Sequence, residues 1–254
     1  MATQDVTLVK LGGSVISNKS VAFSYRDKAV TALGRAIAAS ARPVVVVHGG
    51  GSFGHVVAKK YGLSSTRSTP SKGVSETRGA MFALDAKVCA SLSKAGLRPY
   101  PFAPFSLLDR EGGAGFLQRL LQGGMTPVTF GDVVPDGKGF SVLSGDTICV
   151  ELAEMLGAKL CVMAMDVDGL LDGKGKVIDL VDGETRDIPQ PRGKGRLDAT
   201  GGISFKVREA LRMASSGTEV RLVSGLKPAE FSRALSGGPF LGTRVKSAVM
   251  DENP

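Results

Sequence analysis

The stretch of sequence that decides the fold is Val44–His55, which has the sequence VVVVHGGGSFGH. Its four consecutive valines predict a strand that is buried on both faces, as in a parallel sheet covered by helices. The glycines Gly49–Gly51 let the backbone turn sharply and approach a ligand closely, because they carry no Cβ atom. We expect this loop to continue through Ser52 and Gly54. Successive backbone N–H groups that lead into a helix attract anions, so the stretch predicts a strand followed by a phosphate-binding loop.

The same stretch has the glycine spacing of a dinucleotide-binding loop, Gly49-x-Gly51-x-x-Gly54. A dinucleotide site needs a second strand that ends in an acidic residue roughly 20 residues further on. That region, Tyr61–Ser75, is polar and predicts a mobile flap instead of a strand. The pattern GxxxxGK[ST] of ordinary P-loop kinases is absent from the sequence. The loop therefore indicates phosphate binding of another kind.

The length of 254 residues and the hydrophobic content of 43% fit one large α/β domain with a sizeable core. Such a domain can consist of two lobes that share one sheet, which we expect at about residues 1–140 and 141–254. The seam between them is expected near Gly131–Ser144. Cys89, Cys149 and Cys161 lie in apolar patterns and predict buried free thiols.

The composition also bears on partners and location. No apolar run approaches the roughly 20 residues of a membrane span, and the first residues, MATQDVTLVK, lack the layout of a signal peptide. We therefore expect a cytoplasmic protein without a membrane partner. The net charge of +8 suits a protein that collects anionic phosphates, although a merely solvated surface explains most of the lysines equally well. The basic residues are spread along the chain without an aromatic-rich basic stretch, which argues against a nucleic-acid partner.

Apolar patterns alternate between strand and helix periods along the whole chain. Besides the valine strand, strands are predicted at Val6–Leu11, Leu97–Pro101, Met125–Thr129, Leu160–Met165, Glu219–Ser224 and Phe240–Val245. Helices are predicted at Asp27–Ala39, Val74–Ala95, Phe116–Gln122, Thr147–Leu156, Ile203–Ser215 and Pro228–Leu235, and a hairpin at Gly131–Ser144. This alternation indicates an α/β fold, a three-layer αβα sandwich with a mostly parallel central sheet.

A second glycine loop follows the first strand. The motif Lys10-Leu-Gly-Gly-Ser14 places two glycines after a strand, which again produces a loop that can wrap a phosphate. Lys10 stands at the end of the strand and is placed to reach into the loop. Lys19 follows nine residues later and is a second candidate phosphate ligand.

Carboxylates follow at two further element boundaries. Ser144-Gly-Asp146 opens a helix, and Asp146 either organises nearby lysines or caps that helix by accepting from its first N–H groups. The sequence Asp166-Val-Asp-Gly169 follows a buried strand, at the position where α/β proteins bind ligands. Asp168 is either part of that site or a turn residue.

Two more residues have a functional and a structural interpretation. Lys206 lies in the first turns of the helix that follows Thr200-Gly-Gly202, and it is either a phosphate ligand or a solvated helix lysine. The two preceding glycines favour the phosphate ligand. His48 ends the valine strand, and we expect it to fix the glycine loop structurally.

Together these motifs resemble the amino acid kinase superfamily, whose members phosphorylate carboxylates, carbamate or phosphates. Five motifs in the family's order carry the resemblance: Lys10-Leu-Gly-Gly-Ser14, His48-Gly-Gly-Gly51, Ser144-Gly-Asp146, Asp166-Val-Asp-Gly169, and Thr200-Gly-Gly202 with Lys206. Within the family, Gly49–His55 and Lys19 are similar to the branch that phosphorylates isopentenyl phosphate. Fosfomycin kinases share much of this pattern. Acetylglutamate and uridylate kinases resemble it less, since they are not expected to carry the histidine.

The resemblance implies ATP and Mg²⁺ as cofactors. It implies that Lys10 and Lys206 hold the β- and γ-phosphates, and that Asp146 organises these two lysines. The other residues that it implies for ATP binding are Gly12, Gly13, Ser14, Gly51, Asp166 and Gly202. We expect the magnesium ion to be held mainly by nucleotide oxygens and water, because the sequence shows no dedicated carboxylate cage.

The resemblance also implies an acceptor site. The acceptor phosphate is expected on Gly50 and His55, with the Gly145 backbone closing the other side. Lys19 is expected to reach the transferring or the acceptor phosphate. The catalytic residues are therefore expected to be Lys10, Lys19, His55, Asp146 and Lys206.

The organic tail of the acceptor needs an apolar pocket. The helix Val74–Ala95 and the segment Pro101–Leu108 are candidates for its wall, although the apolar face of the helix fits a plain core equally well. We hypothesise that Phe82 or a neighbour caps the pocket. A homodimer is expected from the resemblance alone. A nucleotide-binding protein without catalysis stays an alternative, but it does not need all five of the catalytic residues.

Overall fold

A computed structural model describes residues 5–63, 70–104, 110–137, 139–182 and 202–247. In these ranges the strands are β1 (Thr7–Leu11), β2 (Val44–His48), β3 (Pro99–Pro101), β4 (Thr126–Phe130), β5 (Asp132–Asp136), β6 (Gly139–Leu143), β7 (Leu160–Met165), β8 (Leu180–Val181), β9 (Glu219–Ser224) and β10 (Gly242–Val245). The helices are α1 (Gly13–Ile16), α2 (Asp27–Ala39), α3 (Gly51–Lys60), α4 (Ser71–Lys94), α5 (Arg110–Gln122), α6 (Gly145–Leu156), α7 (Gly202–Ser215) and α8 (Pro228–Ser236).

Eight of the strands form one sheet in the order β3-β4-β2-β1-β7-β9-β10-β8. The first six of these are parallel to one another, whereas β10 pairs antiparallel with β9 and parallel with β8. β1 lies in the middle, where Lys10 is in register with Val47 on one side and Met163 on the other. The predicted mostly parallel sheet is confirmed. The predicted hairpin is confirmed as well, since β5 and β6 pair antiparallel in a small separate sheet.

The central strands bury both faces, because alternate side chains point to opposite sides of a sheet. Val9 and Val46 belong to a core that also contains side chains of α2, α3, α4 and α8. Leu8 and Val47 belong to a second core with side chains of α5, α6 and α7. Helices therefore cover both faces, and the predicted three-layer αβα architecture is confirmed.

The parallel arrangement brings the important loops to one edge of the sheet. The carboxyl ends of β1, β2, β4 and β7 meet there, which is where open α/β sheets bind their ligands. Backbone hydrogen bonds join the loops after these strands, from Gly12 N–H to the carbonyl of Ala164 at 3.0 Å and from Gly131 N–H to the carbonyl of His48 at 3.1 Å. The glycine loops predicted from the sequence therefore lie side by side.

Several predicted boundaries were wrong. The loop after β2 ends earlier than predicted, because α3 begins at Gly51 and includes both Ser52 and Gly54. The predicted flap overlaps α4, which begins at Ser71 directly after Pro70, while residues 64–69 lie outside the described part of the chain. α5 begins six residues before the predicted Phe116. In both helices a polar or glycine-rich first turn gives little local signal, and packing of the later apolar residues determines the helix.

Among the residues that the structure describes, none of the helices combines the length and the apolar character that a membrane span requires.

Candidate active site

Three of the predicted residues form one hydrogen-bonded cluster. Lys10 comes from the end of β1, Asp146 from the first turn of α6, and Lys206 from the first turns of α7. Oδ1 of Asp146 accepts a hydrogen bond from Nζ of Lys10. Nζ of Lys206 lies 2.8 Å from Oδ1 and 3.1 Å from Oδ2 of the same carboxylate. A single carboxylate therefore separates and orients two ammonium groups.

The electrostatics of the cluster favour an anionic ligand. Burial raises the pKa of the Asp146 carboxyl, but Lys10 and Lys206 outweigh it and hold that pKa well below its usual range. Burial lowers the pKa of the Lys10 ammonium, and Asp146 more than reverses this, so that the pKa lies above its ordinary value. Burial and the charge of Lys10 lower the pKa of Lys206 to about 8. With both lysines protonated, the cluster carries one positive charge in excess.

Asp146 does not cap its own helix. The N-cap of α6 is Ser144, whose Oγ accepts from the N–H of Thr147 at 3.0 Å. The capping alternative for Asp146 is therefore wrong, because the serine already fills that role two residues earlier. The Asp146 carboxylate is instead engaged by the two lysines.

The two glycine loops pack backbone against backbone. A Cβ atom on Gly13 would lie 2.6 Å from the amide nitrogen of Gly51, and one on Gly12 would lie 2.6 Å from the carbonyl oxygen of Ala164. A Cβ on Gly145 would lie 3.4 Å from Cε of Lys10. Side chains at these positions would push the loops apart. Close approach therefore requires glycine at Gly12 and Gly13, whereas at Gly145 it leaves little room for a side chain.

His48 is completely buried between the loop at Gly49 and Gly50 and helix α4. Its Nδ1 lies 3.1 Å from the carbonyl oxygen of Gly49, and its Nε2 lies 3.2 Å from Oδ1 of Asp85. These contacts support the structural role expected for His48. Sequence reasoning missed Asp85, although the signal was present: a carboxylate stands among Met81, Leu84 and other residues on the buried face of α4.

The remaining predicted residues lie on segments around the cluster. Lys19 is exposed on the segment between α1 and α2, and His55 is half-buried one turn into α3. Asp166 is exposed directly after β7. Asp168, two residues later, pairs with Lys227 at 2.7 Å. Thr200 and Gly201 fall outside the described residues, and Gly202 begins α7 with a positive φ of 66°.

The other predicted backbone ligands also lie at the ends of elements. Gly50 is the N-cap of α3, and Ser14 lies in α1, where its carbonyl accepts from Nη1 of Arg26 at 3.1 Å. The cysteines agree with their prediction in part: Cys149 and Cys161 are buried free thiols, whereas Cys89 is half-buried.

The described residues do not fit a protein cage for a metal ion. No group of three or more histidine, cysteine, aspartate or glutamate side chains in the described ranges could hold one. Asp146, the buried carboxylate of the cluster, already accepts from two ammonium groups. We therefore derive no catalytic step through a metal ion.

The fold and the site together define a class of protein. A parallel sheet, glycine loops at its carboxyl edge and two lysines that share a carboxylate are suited to neutralise and orient a polyphosphate. That combination defines an α/β phosphotransferase that uses a phosphorylated donor.

Comparisons with known proteins make this class specific. Residues 5–224 match the amino acid kinase family, and the chain belongs to that family. An isopentenyl phosphate kinase of Thermoplasma acidophilum is 33% identical over 94% of this chain and 99% of that protein. An acetylglutamate kinase of Aeromonas salmonicida is 30% identical over 94% of this chain and 97% of that protein. A solved isopentenyl phosphate kinase superposes with a TM-score of 0.79 at 26% identity, covering 94% of this chain and 99% of that one.

Proposed function

We propose that this protein transfers the γ-phosphoryl group of ATP to isopentenyl phosphate and thereby produces isopentenyl diphosphate. The observation that carries the proposal is the cluster of Lys10, Asp146 and Lys206 beside the paired glycine loops, in a chain that also has His55 in the stretch GGGSFGH. The likeness to relatives of that name supports the choice of acceptor.

On the donor side, Lys10 and Lys206 bind the β- and γ-phosphates of ATP. Lysine suits this role because its ammonium is a compact charge that follows the phosphate as it moves. Backbone N–H groups of Gly12 and Gly13 bind the phosphate oxygens. Magnesium, which the family resemblance implies, would be held by nucleotide oxygens and water, and it would neutralise part of the phosphate charge.

On the acceptor side, the phosphate of isopentenyl phosphate rests on Gly50 and His55, and the Gly145 backbone lies opposite. His55 as imidazolium donates to an acceptor oxygen and offsets its charge. No general base is required, because a phosphate monoester is already an ionised nucleophile near pH 7. Catalysis then consists of bringing two anions together and neutralising their charge.

The first experiment measures ADP release from ATP and magnesium with isopentenyl phosphate, fosfomycin or N-acetylglutamate as acceptor. We expect turnover with isopentenyl phosphate that collapses in His55→Ala and returns in part in His55→Gln, which keeps a hydrogen-bond donor. Turnover that survives in His55→Ala would contradict the role of the histidine. A wild-type protein that is inactive with isopentenyl phosphate would disprove the proposed acceptor.

Two further expectations belong to this proposal. A homodimer is expected from the resemblance to the family, and sedimentation velocity of the purified protein tests it. A cytoplasmic location is expected from the sequence, and fractionation of expressing cells tests that.

A further inference from the structure

The loop that carries Lys19 is tied to the stretch GGGSFGH. We call residues Asn18–Ser24, between α1 and α2, the Lys19 loop. The backbone N–H of Phe23 donates to the carbonyl of Ser52 at 3.0 Å. Oγ of Ser52 donates to the carbonyl of Ser24 at 3.1 Å and lies 3.2 Å from Oγ of Ser24. The loop is therefore fastened to the first turn of α3 at two successive residues.

Within the loop, the side chain of Ser24 fixes the backbone of Asn18, the residue that precedes Lys19. Oγ of Ser24 accepts from the N–H of Asn18 at 2.8 Å and donates to its carbonyl at 2.9 Å. Oδ1 of Asn18 in turn accepts from the N–H of Ser20 at 3.0 Å. Both neighbours of Lys19 are therefore fixed, and the hydrogen bonds run without a gap from Ser52 through Ser24 to Asn18.

An aromatic contact supports the same attachment. The ring of Phe23 meets the ring of Phe53 edge to face, with 5.4 Å between their centroids. Phe53 is buried, whereas Phe23 is 53% exposed and has a φ of 56°. A phenylalanine in the left-handed region is unfavourable and persists only where surrounding contacts fix it. The conformation of the Lys19 loop is therefore specified by contacts to α3 rather than by burial.

The backbone of Ser52 is also linked, through Ser17, to the glycine loop that contains Gly13. The N–H of Ser52 donates to Oγ of Ser17 at 2.8 Å, and that hydroxyl donates to the carbonyl of Gly13 at 2.7 Å. Ser52 is only 1% exposed, and both its N–H and its hydroxyl have protein partners. Ser52 is therefore engaged by the protein and is not a phosphate ligand, although it stands in the middle of a phosphate-binding stretch.

We infer that Ser52 is a positioning residue for Lys19. Together with Phe53 it docks the Lys19 loop beside the glycine loops, so that one stretch of sequence supplies His55 and also orients the lysine for the transferring phosphate. This inference rests on the proposed function and on the expectation from the family resemblance that Lys19 reaches the transferring or the acceptor phosphate. Displacement of the Lys19 ammonium should lower the rate of phosphoryl transfer, because a shift of about 1 Å at a reacting group can reduce a rate about 100-fold.

The test is a double-mutant cycle with Ser52→Ala and Lys19→Met, with kcat and KM for ATP as readouts. We expect Ser52→Ala to lower kcat about tenfold and to change KM for ATP less than about twofold, because Lys10 and Lys206 stay in place. In the Lys19→Met background, Ser52→Ala should lower kcat no further. Ser24 is half-buried in the loop, and Ser24→Ala should change kcat and KM for ATP in the same way as Ser52→Ala. Ser40→Ala, which removes only a local hydrogen bond to Ile37 at the end of α2, is the matched control.

Two results would overturn the inference: losses of kcat that add up in the double variant, or an unchanged kcat in both serine variants. Failure of the proposed acceptor is recognised separately, because nucleotide affinity does not require an acceptor. If the wild type binds AMPPNP but turns over no isopentenyl phosphate, the same cycle is run on the ratio of the ADP and AMPPNP dissociation constants. That ratio reports the contribution of the γ-phosphate, and it should fall in Ser52→Ala only when Lys19 is present.

Discussion

Nζ of Lys206 lies 2.8 Å from Oδ1 of Asp146, although 60 residues separate them in the sequence. The same oxygen accepts from Lys10, which lies 136 residues away. The carboxylate holds two like charges beside each other in a buried place, where they would otherwise repel. We therefore expect the site to be arranged for a polyphosphate before the nucleotide binds, because the protein's own carboxylate maintains the positions of both lysines.

Asp146→Asn should damage both stability and activity. Neutralising the carboxylate leaves the buried Lys10 ammonium and the half-buried Lys206 ammonium without a counter-ion. Removal of one partner from a buried ion pair costs about 3–5 kcal/mol. We expect the free energy of unfolding in urea to fall by about 3 kcal/mol without nucleotide and by less with saturating ATP, whose phosphates supply the missing negative charge. We also expect kcat/KM for ATP to fall about 100-fold.

The control for this substitution is Glu76→Gln, which neutralises a surface carboxylate paired with Lys60 at 3.1 Å. Exposed ion pairs contribute little, so this variant should unfold like the wild type. Equal stability of Asp146→Asn and the wild type would contradict the charge-spacing role of Asp146.

The activity should decrease at alkaline pH because of Lys206. Its pKa of about 8 means that the ammonium loses its proton, and with it the attraction for phosphate, as pH rises through that value. Since kcat/KM reports the free enzyme, deprotonation of Lys206 should lower kcat/KM for ATP about tenfold per pH unit above about pH 8. Lys206→Arg should remove this decrease, because a guanidinium stays protonated throughout.

Lys94→Arg is the matched control for the pH profile. Lys94 is an exposed lysine near the end of α4 that pairs with Asp27 at 3.2 Å and has no contact with Asp146 among the described ion pairs. Its substitution should leave the alkaline decrease unchanged. A wild-type profile that stays flat to pH 10 would show that Lys206 does not titrate in this range.

Much of the fold could be predicted from the sequence, because continuous apolar runs mark buried strands and a 3.6-residue period marks amphipathic helices. β7, β9 and α2 have the predicted bounds. The direction of a strand could not be predicted from its own residues. β10 runs antiparallel to β9, and the connection between the two strands determines this direction. The first residues of α5, with three glycines, have almost no helical propensity, and burial of Leu117 and Leu121 determines that helix.

The residues of the site could be predicted from the sequence more readily than the contacts between them. Motifs at strand ends and helix starts identified Lys10, Asp146 and Lys206 separately, because glycine loops and boundary carboxylates leave a local signal. That the same carboxylate oxygen accepts from both lysines depends on the three-dimensional arrangement of three elements. The contacts of Ser52 with Ser24 in the Lys19 loop and with Ser17 were hidden for the same reason, since they join residues 28 and 35 positions apart.

Gly13→Ala should separate the two glycine loops. The new Cβ would lie 2.6 Å from the amide nitrogen and 2.8 Å from the Cα of Gly51, and both are backbone atoms that cannot rotate away. We expect kcat/KM to fall about 100-fold and the free energy of unfolding to fall by about 1–3 kcal/mol. Steady-state kinetics and urea unfolding measure the two effects.

Gly79→Ala is the corresponding control. Gly79 lies on the exposed side of α4, and a Cβ there would meet nothing within 4 Å. This variant should keep full activity and gain about 0.5–1 kcal/mol of stability, because alanine is the better helix former. An active Gly13→Ala variant would show that the contact between the loops is not required.

Phe82→Ala should change which acceptors are used. The ring of Phe82 is 47% exposed, lies 5.3 Å from the ring of buried Phe130, and has the Arg78 guanidinium 5.6 Å from its centroid. Phe130 ends β4 at the edge of the sheet that carries the glycine loops, so Phe82 lies near the edge where we propose that the acceptor binds. Removing the ring makes apolar space, and we expect the ratio of kcat/KM for a longer prenyl phosphate over isopentenyl phosphate to rise about tenfold. Leu180→Ala, an equally exposed apolar residue on β8 at the far end of the sheet, should leave that ratio unchanged. An unchanged ratio in Phe82→Ala would contradict the hypothesis that Phe82 caps the tail pocket.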